Sequence, residues 1–211
     1  MKIAIIGASG KAGQKIMAEA LSRKHQVTAI VRNAGKVSDK SVTVLEKDIF
    51  DLAAADLKPF DAVVDAFNAS PGHEDLHQSS LLHLRKILSG NPNTRLLVVG
   101  GASSLYLDEQ LTQRLIDSPD FPDAYRATAS NMGDAFRELK NANDINWTYI
   151  SPSAMFVADG KRTGSYNTGN DRLMVNSAGE STISYADYAI AMLDEIEQGK
   201  HIRQRFTVVE K

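Results

Sequence analysis

Short apolar runs alternate along this chain with longer stretches in which apolar positions recur at helical spacing. Ile3-Ala4-Ile5-Ile6 is almost uninterrupted in its apolarity, as a strand buried on both faces of a parallel sheet must be. Lys11 to Arg23 then sets Ala12, Ile16, Ala20 and Leu21 at helical intervals, and Gln26–Val31 returns to strand character, completing a βαβ unit. Val42–Leu45, Ala62–Ala66, Leu96–Val99, Trp147–Ile150 and Phe206–Val209 read as further buried strands. Helices are predicted over His73–Ser89 and Asp123–Lys140, and again from Ala186, where Ser184 and Asp187 stand at capping-box spacing. Such alternation predicts an α/β fold, a doubly wound parallel sheet covered by helices on both faces.

The pattern changes at Pro152. Gly160, Gly164, Gly169 and Gly179 punctuate short polar segments that read as loops, with a small hairpin around Gly169-Asn170. A length of 211 residues fits one domain. The reading is therefore a single domain over residues 1–211, with 152–183 as a small substrate-facing insertion toward the C-terminus. So little chain, together with the loop from Ser104 to Pro122, predicts a shallow, open acceptor site.

Composition narrows the partners. With 43% hydrophobic and 24% charged residues and a formal net charge of -2, the chain offers no electrostatic footprint for nucleic acid or an anionic membrane. A small-molecule partner is the expectation. Cysteine is absent, so disulfides and thiolate chemistry are excluded. The apolar start, Ile3 to Ile6, is too short for a signal peptide, and no apolar run approaches the roughly 20 residues of a membrane span. A cytoplasmic location is the corresponding expectation.

Candidate chemistry begins at Gly7-Ala8-Ser9-Gly10-Lys11-Ala12-Gly13, between the first strand and the first helix. Gly7 can make the turn, Gly10 admits a pyrophosphate to the backbone, and Gly13 allows close helix–strand packing. The spacing is G-x-x-G-x-x-G, and no Gly-Lys-Ser/Thr closes it as a Walker loop would. This is a Rossmann-like dinucleotide site, with a plain strand–helix turn as the bland alternative. At the end of the second strand, where an acid would hold a ribose 2′-hydroxyl, stands Arg32, a guanidinium fork suited to a 2′-phosphate. NADP is favoured over NAD, the alternative being a solvated arginine. Ligands of open parallel sheets bind beyond the carboxyl ends of the strands. Those ends carry Asp48, Phe67-Asn68, Gly100-Gly101-Ala102-Ser103-Ser104 and Ser151-Pro152-Ser153.

On these residues, together with Val31-Arg32-Asn33, Leu97 to Ser103, Trp147 to Pro152 and Ile183 to Asp187, the chain resembles the atypical short-chain dehydrogenase/reductase group. Within it, the NADH-flavin reductases and NmrA-like NAD(P)-binding proteins are nearest, with biliverdin reductase B a distant likeness. The resemblance implies that Ser9, Gly10, Lys11 and Ala12 hold the pyrophosphate. It further assigns the 2′-phosphate to Arg32, the adenine to Asp48 and Ile49, and the neighbouring ribose to Phe67 and Asn68. Ser103 is implied beside the nicotinamide, and Gly7, Gly13 and Pro152 complete the cofactor contacts.

Two departures shape the chemistry. The superfamily's catalytic pair is Tyr-x-x-x-Lys, and here Tyr125 is followed at the lysine position by Ala129. Ser103 and Tyr125 are nonetheless the catalytic candidates. Where the distant relative has a histidine near the nicotinamide, this chain aligns Ser153. Hydride transfer to a flavin (FMN or FAD as substrate) or a quinone-like acceptor tolerates a missing acid, because positioning supplies most of the catalysis. Phe121, Tyr125, Phe156 and Tyr166 are candidates to stack on a flavin ring, or else pack the appendage. A non-catalytic NADP-binding sensor of NmrA-like type is the alternative from another class.

A zinc metallohydrolase is the remote alternative, since His73-Glu74-Asp75-Leu76-His77 spells H-E-x-x-H with His83 beyond it. On a continuous helix His83 lies about 15 Å along the axis and about 80° around it from His73. One zinc cannot take all three, and no metal is expected. Asp108-Glu109 and Asp194-Glu195 read as solvated surface charges, and Trp147 as core.

Overall fold

The computed structural model describes residues 1–211. Ten strands form: β1 (Lys2–Ile6), β2 (Gln26–Val31), β3 (Thr43–Glu46), β4 (Ala62–Asp65), β5 (Arg95–Val99), β6 (Asn146–Ser151), β7 (Met155–Val157), β8 (Tyr166–Gly169), β9 (Thr182–Ser184) and β10 (Gln204–Glu210). The helices are α1 (Lys11–Ser22), α2 (Ala54–Leu57), α3 (Leu76–Leu88), α4 (Asp123–Lys140) and α5 (Tyr185–Gln198). Eight strands make one sheet in the order β3-β2-β1-β4-β5-β6-β10-β8, parallel throughout except for β8, which runs antiparallel to β10. The chain reverses its direction of winding between β1 and β4, so the switch point of the doubly wound sheet lies at the carboxyl end of β1.

Alternation along the strands builds two cores. Ile3 and Ile5 of β1 face the layer that holds Ile16 and Met17 of α1 and Tyr188, Met192 and Ile196 of α5. Ala4 and Ile6 face the opposite layer, with Leu81, Leu84 and Leu88 of α3 and Phe136 and Leu139 of α4. Ala62 and Val64 against Val63, and Leu97 against Leu96 and Val98, repeat the division on β4 and β5. Uninterrupted apolar runs are thus the mark of strands buried on both faces, as their patterning predicts.

Two local expectations need correction. α3 opens at Leu76 rather than His73, because Gly72 turns the chain at φ 87° and its amide is taken by the Glu74 carboxylate. His73 is therefore off the helix, and His83 is engaged elsewhere, its Nε2 3.0 Å from the Leu52 carbonyl oxygen. No hairpin forms at Gly169-Asn170. Gly169 ends β8 against Thr207 of β10, and a Cβ there would lie 2.4 Å from Met174 Sδ, so this glycine makes room for a methionine rather than a turn. Beyond Pro152, β8 forms the sheet edge, and β7 pairs in parallel with β9 as a small second sheet.

Asp194 and Glu195 are not solvated charges. Glu195 is buried, accepting from the Arg95 guanidinium and from the His201 amide at 2.9 Å, with His201 Nδ1 at 2.7 Å. Asp194 accepts from the Tyr166 hydroxyl at 2.5 Å and from Arg23 at 2.7 Å. Arg95 opens β5, so the Glu195 cluster clamps the sheet at the end opposite the ligand edge. Ser184 does cap α5, accepting from the Asp187 amide at 3.0 Å. The fully buried Asp187 carboxylate does not return the bond; it gathers the Thr163 and Gly164 amides and the Thr163 hydroxyl, pinning residues 163–164.

Candidate active site

At the switch point, β1 runs directly into Gly7, whose φ of 73° no residue with a Cβ adopts without strain. A Cβ on Gly7 would meet the Ala66 carbonyl oxygen at 2.5 Å, and one on Gly13 the Gly7 carbonyl oxygen at 2.3 Å. The loop is therefore pressed against both β4 and the first turn of α1. Gly10 caps α1 with no side chain, and the amides of Lys11, Ala12 and Gly13 have no acceptor within the protein. Unpaired amides and the positive end of the helix dipole make this first turn an anion cradle.

Gly7, Ser9, Gly10, Arg32, Asp48, Ile49, Phe67 and Asn68 line one recess, which brings the implied adenosine and pyrophosphate contacts together. Asp48 is held by accepting from the Phe50 amide at 3.0 Å, and Ile49 is buried beside it. Arg32 is exposed and pairs with no carboxylate. The nearest acid of the paired strand, Glu46, accepts instead from the Ala34 amide at 2.7 Å, while Asn33 Oδ1 takes the Gly35 amide. Lys47, which no sequence motif marks, joins the recess from the end of β3 with its ammonium 2.8 Å from Asp56. The one signal for it was the Lys47-Asp48 pair just beyond a strand end.

Beneath Phe67, Asp65 ends β4 with its side chain buried, and burial pushes its carboxyl up to about 6 although the Phe67 amide donates to it at 3.1 Å. His77 stands edge-on to Phe67 with its Nε2 unpartnered, and burial holds its pKa down. An acid whose pKa is raised in the native state binds protons there that the unfolded chain has released. Stability therefore falls as pH rises from about 4 to about 6, and above that range it stays lowered by about 3 kcal/mol. Asp65→Asn is expected to raise the melting temperature by about 5 °C or more at pH 8, and by about half as much at pH 5. Thermal melts at the two pH values check this; an equal gain at both would contradict the ionisation argument.

A second recess, of about 410 Å³, opens at the ends of β5 and β6 along the same sheet edge. Gly101, Ala102 and Ser103 form its floor, the segment from Leu115 to Pro122 and α4 its walls, and Ala154 and Met155 its rim. These last two are the only cleft-lining residues of the segment 152–183. Gly100 has no side chain because the Tyr149 ring occupies that space, 2.2 Å from where a Cβ would stand, and the Tyr149 hydroxyl accepts from the Gly101 amide at 3.1 Å. Burial pushes the Tyr149 hydroxyl up to about 12, and the side chain lies beneath the floor without lining the cleft.

Ser103 is nearly buried and its hydroxyl donates to the Ala129 carbonyl at 3.2 Å, so it offers the cleft lone pairs rather than a proton. Tyr125 lines the cleft but is 66% exposed, and Ala129 leaves it without a neighbouring ammonium. Phe121 also lines the cleft. Phe156 is taken up by packing on Tyr185 and Tyr188, its ring 3.9 Å and 4.8 Å from theirs, and Tyr166 by its bond to Asp194, so neither is a stacking residue. Pro152 and Ser153 are buried at the end of β6, and the Ser153 hydroxyl donates to the Val208 carbonyl at 2.8 Å. Neither lines either recess.

No helix is long and apolar enough to cross a membrane. A family described as NAD(P)H-binding matches residues 7–198. The uncharacterized protein YwnB of Bacillus subtilis is 57% identical over 209 residues, covering 99% of this chain and 98% of that one. A solved Streptococcus pneumoniae structure, provisionally named an NADH-flavin reductase, is 44% identical with a TM-score of 0.96 over the whole of both chains. One from Bacteroides thetaiotaomicron, provisionally named an epimerase, is 35% identical with a TM-score of 0.86, covering 99% of this chain and 96% of that one. With its glycine loop, free helix amides and doubly wound sheet, the chain belongs to the NAD(P)H-binding family, within the atypical short-chain dehydrogenase/reductase group.

Proposed function

We propose that this oxidoreductase uses NADPH in preference to NADH and delivers hydride to a flavin or quinone-like acceptor held in the cleft at the ends of β5 and β6. The observation that carries the cofactor choice is Arg32, an unpaired guanidinium at the end of β2 beside a glycine loop with three open amides. The residues fit the dinucleotide along its length: α1 for the pyrophosphate, Asp48 and Ile49 for the adenine, Phe67 and Asn68 for the ribose. Bound there, the reduced dinucleotide supplies the hydride. Ser103, at the floor of the neighbouring cleft, accepts a hydrogen bond from the nicotinamide amide or from the acceptor, and Pro152, buried just beyond β6, holds the cofactor's end of that strand.

Nothing in the cleft is built as a strong fixed acid. Tyr125 is largely exposed and has alanine where a partner lysine would stand, so acceptors that need no enforced protonation suit the site. The name carried by the Streptococcus pneumoniae relative agrees with a flavin acceptor. Residues 152–183, as a small insertion in one domain of 211 residues, contribute only the rim at Ala154 and Met155.

Steady-state oxidation of NADPH with riboflavin, FMN, menadione and a simple ketone tests the reading. Turnover is expected with flavin and quinone but not with the ketone, and Tyr125→Phe is expected to retain kcat within about threefold, against the roughly 10²–10⁴-fold loss of a true general acid. Tight NADPH binding with no turnover on any acceptor would make the protein a dinucleotide sensor instead.

A further inference from the structure

We propose that the acceptor is uncharged on the ring system that enters the cleft: a neutral quinone, or a flavin whose isoalloxazine alone is enclosed. The inference rests on the acceptor role given to the cleft above and concerns which members of that class it admits. The walls are Leu115, Phe121, Pro122, Met132 and Met155, with neutral hydroxyls from Ser103, Ser118 and Thr128. One ionisable group apart from the tyrosine lines the cleft, and it is an acid, Asp120.

No lysine or arginine lines the cleft, and three arginines of the surrounding elements are committed to protein partners. Arg126 donates to the Ile116 carbonyl at 3.0 Å, to the Phe121 carbonyl at 3.2 Å and to Asp123 at 3.3 Å, so it braces the wall rather than facing a ligand. Arg114 forks onto Asp117 with both bonds at 2.8 Å. Arg205, under the floor, is bonded to Asp171 and to the Ser104 carbonyl and hydroxyl. The start of α4 borders the cleft at Pro122, and Asp120 and Asp123 stand there to oppose the positive end of its dipole. An anion seated on the ring would lose water and find no partner, with Asp120 repelling it. A phosphate on a flexible ribityl chain can remain in solvent, so the charge that matters is the one borne by the ring. Reduction of a neutral quinone consumes one hydride from NADPH and one proton, and solvent reaches the open cleft to provide the proton.

The test measures acceptor binding by calorimetry to the protein loaded with tetrahydro-NADP, whose nicotinamide-derived ring is uncharged and transfers no hydride, comparing menadione with 1,2-naphthoquinone-4-sulfonate. Menadione is expected to bind at least about tenfold more tightly, in line with the cost of desolvating an unpaired charge. Thr128→Lys, which places a cation on the α4 wall, is expected to narrow that ratio at least about fivefold. Equal or tighter binding of the sulfonate by the unaltered protein would overturn the proposal, as would a ratio unmoved in a correctly folded Thr128→Lys protein. Turnover of the same two compounds, corrected for their uncatalysed reduction by NADPH, is read alongside. Absence of turnover with both compounds and with FMN and riboflavin would remove the hydride-transfer reading, while the binding ratio still decides the charge preference.

Discussion

Gly13→Ala is expected to weaken NADPH binding about tenfold or more and to lower the melting temperature by several degrees, although alanine is the better helix former. An exposed helical glycine changed to alanine gains about 1 kcal/mol. Here the added methyl would stand 2.3 Å from the Gly7 carbonyl oxygen, 2.8 Å from Ala8 Cα and 2.9 Å from the Gly7 carbonyl carbon. All three are backbone atoms of the strand–helix turn and have no rotamer by which to escape. Relief requires α1 to move off the loop, at the roughly 1–3 kcal/mol that overpacking costs. The same movement displaces the open amides of Lys11, Ala12 and Gly13, and losing one hydrogen bond to a charged phosphate costs about 1.5–3 kcal/mol, or roughly tenfold or more in affinity. Gly133→Ala in α4 is the control, since nothing lies within 4 Å of a Cβ there, and it is expected to be neutral or stabilising. Fluorescence titration with NADPH and thermal melts read both effects; matching behaviour of the two variants would refute the close-approach argument.

Arg32→Glu is expected to weaken NADPH binding about 100-fold while changing NADH by no more than about threefold. A hydrogen bond to a charged group contributes about 1.5–3 kcal/mol, and each 1.4 kcal/mol is tenfold in affinity. Arg32 has no carboxylate partner to lose, so its replacement breaks no ion pair and leaves the fold undisturbed. The introduced carboxylate repels a 2′-phosphate and can accept from a 2′-hydroxyl, which moves the preference in both directions. Lys47 remains beside the site, but its ammonium is engaged 2.8 Å from Asp56, so it replaces little of the lost guanidinium. Dissociation constants for the two dinucleotides, measured at one salt concentration, decide the matter. Equal losses for both would take the 2′-phosphate away from Arg32.

Much of the fold was legible because its determinants are local. The period of Ile3 to Ile6 and of Leu96 to Val99 separates buried strands from helices, and α4 runs over Asp123–Lys140, where its apolar spacing begins and ends. The glycine loop was equally legible, since turn conformation and the absence of a side chain belong to the residue itself. The misread charges had long-range reasons. Glu195 is buried because Arg95, a hundred residues away, comes to meet it, and Asp187 because the loop at Thr163 folds back onto it. An acid at a helix start or on a helix face looks the same in sequence whether its partner is water or a distant side chain.

The aromatic candidates divide in the same way. Composition allowed Phe121, Tyr125, Phe156 and Tyr166 equally; packing on Tyr185 and Tyr188 removed Phe156, and the bond to Asp194 removed Tyr166. The amino-acid sequence by itself determined the doubly wound sheet, the anion-binding turn and the cation at the end of β2, because period, conformation and charge are carried by neighbouring residues. Only the tertiary structure decided that Arg32 stands unpaired, that the amides of the first helical turn stay open, and that the cleft at the ends of β5 and β6 is largely apolar and lined by no cation. Those are properties of what surrounds a group, and residues remote in the chain supply the surroundings.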